Sequence, residues 1–172
     1  MLIITKPDIV GARVTDLHST CENLDGYDCT TIYFTVDRGF SFILPTPGFS
    51  WEKAEIPAGA GLLPDESFSQ SFSVEGTWPS MRFIPDPPTK IDIIKRIKAR
   101  TIQGVYCWKV DEDLGFYEPD DALLLFDDGS QAFRVTGAPH GTGAAGLHYR
   151  SADCEHSELI DFFEVPIEDN RF

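Results

Sequence analysis

One ordered set of parts occurs twice along this chain, and that repetition constrains the fold more than any other feature. The first set runs Ile9-Val10-Gly11, a polar stretch, the β-rich run Ile32 to Val36, the turn Asp37-Arg38-Gly39 and a second β-rich run, Phe40 to Leu44. It closes on Glu55-Ile56-Pro57. The second runs Ile102-Gln103-Gly104, an acidic stretch, Leu123 to Phe126, Asp127-Asp128-Gly129 and Gln131 to Val135. It closes on Glu164-Val165-Pro166. Asp-x-Gly between β-rich runs is a hairpin signal, because glycine supplies the positive φ of a tight turn. Phe40, Phe42 and Leu44 alternate with Ser41 and Ile43, as on a half-buried strand. Pro57 and Pro166 mark strand ends, since proline cannot donate to the ladder.

The expected fold is therefore β-rich α+β: two similar antiparallel sheet units, related by internal duplication, with one central helix. Thr89 can cap that helix, and Ile91, Ile94 and Ile97 give it an apolar stripe from about Lys90 to about Arg100. Pro85, Pro87 and Pro88 stiffen the connection before it and divide the chain into halves 1–88 and 89–172 of one compact domain, 1–172. Residues 57–88 and 137–158 are rich in glycine, proline and serine and read as irregular excursions.

A chain of 172 residues needs no covalent staple, because folding at this size buries about 70% of the unfolded surface. Cys21, Cys29, Cys107 and Cys154 follow no CxxC spacing and read as reduced thiols of a cytoplasmic protein. The apolar run at the N-terminus is too short for a signal peptide, and none is long enough to span a bilayer. The net charge of -14 disfavours direct binding of nucleic acid or of an anionic membrane.

Much of that charge is local. Between Lys109 and Arg134 there is no basic residue, while Asp111, Glu112, Asp113, Glu118, Asp120, Asp121, Asp127 and Asp128 all fall there. Trp108, Phe116, Tyr117 and Phe126 are interleaved. Acid mixed with aromatics suits a surface that docks a basic partner, Trp and Tyr being frequent energetic centres of interfaces. The bland alternative is a solvated face that keeps the protein soluble, with Asp120-Asp121 only shaping a turn.

Other motifs fail their context tests. Gly141 to Gly146 is literally GxGxxG, but no strand leads in and no helical period leads out, so a flexible loop is the better reading than a dinucleotide site. His140, His148, Cys154 and His156 lack the spacing of a metal site. Asp111-Glu112-Asp113 lacks the glycine and the bidentate glutamate of a calcium loop. No nucleophile elbow occurs and no cysteine has the context of a nucleophile. No catalytic residue, cofactor or metal is expected.

In size, in acidity and in the Asp127-Asp128-Gly129 hairpin followed by the glycine-rich loop to Leu147, the chain resembles bacterial immunity proteins of polymorphic or secreted toxin systems. That resemblance implies inhibition by stoichiometric binding to a cognate basic toxin, such as a nuclease. Under it Asp111, Glu112, Asp113, Glu118, Asp120 and Asp121 would supply field and charge-assisted hydrogen bonds. Trp108 and Tyr117 would be the apolar anchors. Two alternatives stand beside it: a small enzyme using the Gly137–Gly146 loop with His140 as base, and a homo-oligomeric accessory module pairing sheet edges.

Overall fold

The computed structural model describes residues 2–24, 27–63, 90–108, 122–135, 146–150 and 159–168. In chain order these form α1 (Lys6–Ile9), β1 (Val14–Leu24), β2 (Tyr27–Val36), β3 (Phe40–Phe42) and β4 (Gly61–Leu62). Then follow α2 (Lys90–Lys98), β5 (Ile102–Trp108), β6 (Leu123–Phe126), β7 (Gln131–Val135), β8 (Gly146–Arg150) and β9 (Leu159–Asp161), with a 3-10 turn at Phe162–Glu164. They build two antiparallel sheets, ordered β3-β2-β1-β4 and β8-β7-β6-β5-β9. The β-rich α+β expectation with two antiparallel sheets is met.

The two sheets correspond pair by pair. Val14↔Val36 and then Asp16↔Thr35 in the first matches Ile102↔Phe126 and then Gly104↔Leu125 in the second, each with a bulge at the same step. The outer neighbours match too. His18↔Leu62 and Ser19↔Gly61 stand where Tyr106↔Asp161 and Cys107↔Ile160 stand. The second sheet adds β8 beyond β7. Gly39 and Gly129 both sit at φ 82°, so the two Asp-x-Gly turns share the left-handed backbone that only glycine adopts cheaply.

An antiparallel bridge, Arg13↔Thr101, joins the units. Around it Val14 N–H donates to the Arg100 carbonyl at 3.1 Å and Ile102 N–H to the Ala12 carbonyl at 2.8 Å. The two bonds exchange under a local two-fold axis through the bridge. The bulges that follow bend β1 and β5 away from the bridge, as bulges do. At the second bulge a Cβ on Gly104 would lie 2.5 Å from the Tyr106 ring, so any other residue there would have to push the ring aside.

The sequence repeat is offset from the structural one. Ile9-Val10-Gly11 is not the partner of the strand Ile102-Gln103-Gly104. Ile9 instead ends α1, a turn with Pro7 near its start. Its cap is the Asp8 carboxylate, which accepts from the Thr5 N–H at 2.7 Å and the Thr5 hydroxyl at 2.6 Å. Nor do the two Glu-x-Pro endings correspond. Ala54 bridges the free side of β3 at Ser41, whereas Glu164 ends the 3-10 turn after β9.

One buried cluster draws on both sheets and on α2: Leu17, Phe34, Phe42, Ile93, Ile94, Ile97, Val105, Leu124 and Phe126 are among its members. Phe42 stacks on Phe34 at 5.4 Å and meets Trp51 edge-on at 5.0 Å; Trp51 in turn meets Phe162 edge-on at 5.8 Å. The aromatic chain thus runs from β3 to the segment after β9. α2 starts at Lys90, as its pattern predicts, and buries Ile93 beside Ile94 and Ile97.

Candidate functional site

The strand ends place the acidic connection. β5 closes at Trp108, opposite Leu159, and β6 opens at Leu123, opposite Tyr106. The chain therefore leaves and re-enters the five-stranded sheet at one end. Val135↔Gly146 closes the β7–β8 pair at the same end, so the glycine-rich connection leaves there too. Asp111, Glu112, Asp113, Tyr117, Glu118, Asp120 and Asp121 lie outside the described residues, as do residues 137–145 with His140, and Cys154 and His156.

A single backbone bond ties that end to the first sheet: Ala122 N–H donates to the Pro45 carbonyl at 2.8 Å. Pro45 lies just beyond β3, on the side where β1 and β2 run on together. From Thr20↔Thr31 to Leu24↔Tyr27 these two strands pair with each other and, among the described residues, with neither β3 nor β4. They form an arm that is the counterpart, in the first unit, of the 109–121 connection in the second. The Ala122–Pro45 bond thus ties this end of the second sheet to the segment that follows β3.

The arm is acidic as well. No lysine or arginine occurs between Arg13 and Arg38, while Asp16, Glu22, Asp25, Asp28 and Asp37 do. Sequence reasoning passed over it because its acids are spread among β-forming residues. The signal was the basic-free interval, which repeats between Lys109 and Arg134. Arg13, Arg38 and Arg100 stand at the opposite end, beside the two Asp-x-Gly turns. Arg38 donates to the Pro7 and Asp8 carbonyls, and Arg100 pairs with Asp128 at 3.2 Å. Asp37, Asp127 and Asp128 stand at that end as well, so both signs of charge meet there.

A turn in the segment after β3 carries apolar surface. Phe49 N–H donates to the Thr46 carbonyl at 3.2 Å, closing a turn around Gly48 at φ 87°. Glu168 N–H donates to the Gly48 carbonyl at 2.8 Å. Phe49 is 47% exposed and Ile167 is 61% exposed, on the two segments this bond joins.

The described residues assemble no reactive constellation. Cys107 is a free, buried thiol, pushed up to about 11 by burial and, secondarily, by Asp161. It is thus protonated and inert at neutral pH. His18 Nδ1 and the buried Ser19 hydroxyl have no hydrogen-bond partner, but they are successive residues of β1 and face opposite sides of the sheet, so they do not converge. Lys6, raised by the hydrogen bond to Asp161 at 2.6 Å, is an ordinary surface ion pair. Among the described residues no three His, Cys, Asp or Glu side chains gather as a metal would require, and no helix is long and apolar enough to cross a membrane.

Comparison of the chain with protein families, curated proteins and solved structures finds no match.

Proposed function

We propose that this chain is a non-enzymatic binding protein whose acidic hairpin connections dock a cationic protein. The observation that carries the reading is that the two basic-free intervals fall on equivalent hairpin connections, β1–β2 and β5–β6, of the two matching units. These two segments gather acid into basic-free stretches of a molecule whose net charge is -14. The field of such stretches steers cationic partners to association rates of about 10⁸–10⁹ M⁻¹s⁻¹ at low salt. Arg and Lys of the partner then donate charge-assisted hydrogen bonds to Asp111, Glu112, Asp113, Glu118, Asp120 and Asp121, with Trp108 and Tyr117 as anchors.

The particular partner we infer is a basic bacterial toxin, neutralised in the cytoplasm by occlusion of its active site. A toxin that binds nucleic acid presents a cationic cleft, and an acidic plug both fits it and competes with the phosphates. The test is co-expression with the reading frame beside its own gene. The neighbour alone is expected to arrest growth, the pair is expected to restore it, and Asp120→Lys with Asp121→Lys is expected to abolish the rescue. Rescue that survives the charge reversal, or a neighbour harmless by itself, overturns the reading.

A further inference from the structure

We draw no further inference here: the strongest candidate, the exposed sheet edge at Leu2 and Ile3, which lies beside Glu52 and Lys53 and turns the Ile3 N–H and C=O outward, carries nothing because nothing in the structure shows what covers it.

Discussion

Asp37 and Arg13 exchange two hydrogen bonds at the neck of the first hairpin: the Arg13 N–H donates to the Asp37 carboxylate and the Asp37 N–H to the Arg13 carbonyl, both at 2.9 Å. Thr101 and Asp127 repeat the exchange in the second unit, at 3.4 Å to the carboxylate and 2.9 Å between backbones. The reason is topological. Arg13 and Thr101 form the bridge between units, and their own N–H and C=O groups point away from it. Each hairpin aspartate satisfies the peptide that the bridge leaves open.

Asp37→Ala is accordingly expected to cost about 1 kcal/mol, the net value of an exposed hydrogen bond to a charged acceptor, and Asp127→Ala less, since its bond is longer. Asp37→Asn keeps an acceptor and is expected to fall between. Urea unfolding midpoints at constant slope measure all three. An Asp127→Ala loss larger than that of Asp37→Ala would contradict this account.

Asp128 gives the pH dependence. Burial works against its charge, but the Ser130 hydroxyl at 2.5 Å, the Ser130 N–H at 3.0 Å and the Arg100 ion pair at 3.2 Å outweigh it and hold the carboxyl below its ordinary 3.8. A carboxyl depressed by folding stabilises the folded state above its unfolded pKa, and that stability is lost as pH falls through the folded value. Ser130→Ala removes one donor. It is expected to cost about 1 kcal/mol at neutral pH, with the gap to the parent narrowing as pH drops below 3.8. Thermal unfolding followed from neutral pH into that range reads the gap directly. A gap that stays constant would assign Ser130 a role unrelated to the carboxylate.

Phe42 belongs to the buried cluster shared by the two units. It is fully buried, lies nearly parallel to Phe34 with 6° between the rings, and meets Trp51 at 85°. Phe42→Ala removes a ring that its neighbours cannot replace by collapsing and is expected to cost about 3–5 kcal/mol. Leu62→Ala, on the exposed edge strand β4, is expected to stay within about 0.5 kcal/mol. Chemical denaturation of the two variants side by side separates packing from general sensitivity to substitution.

The hairpins were legible in the sequence because their chemistry is local: Gly39 and Gly129 each do a job that one residue type does best. α2 was legible because Ile94 and Ile97 mark a buried stripe within nine residues. The register of the repeat was not. The resemblance of Ile9-Val10-Gly11 to Ile102-Gln103-Gly104 hides different duties: Gly11 follows a helix end at φ 87°, and Gly104 makes room for the Tyr106 ring. β4 was also hidden, since Gly61-Leu62 is two residues long and its strand character comes only from β1. The acidity of 109–121 could be read from composition. Its counterpart in the β1–β2 arm emerges only once pairing identifies which segments are equivalent.

That equivalence has a consequence for binding. If the two connections act together, the arm contributes to the field as the 109–121 connection does, although the pattern of its acids is less conspicuous. Glu22→Gln, Asp25→Asn and Asp28→Asn together remove three charges from the arm. Asparagine before glycine is as favourable in a hairpin turn as aspartate, so the change at Asp25 is expected to keep the strand pairing from Thr20↔Thr31 to Leu24↔Tyr27. The triple variant is expected to slow association with glycine-spaced oligolysine about threefold to tenfold at low salt and to reduce its salt dependence, with little change in the dissociation rate. Stopped-flow kinetics over a range of ionic strength measure both. Three neutralisations on the exposed loops at the opposite end, where Arg13, Arg38 and Arg100 stand, serve as the comparison. An equal effect from either end would mean that net charge alone, and not its placement on the two hairpin connections, governs the encounter.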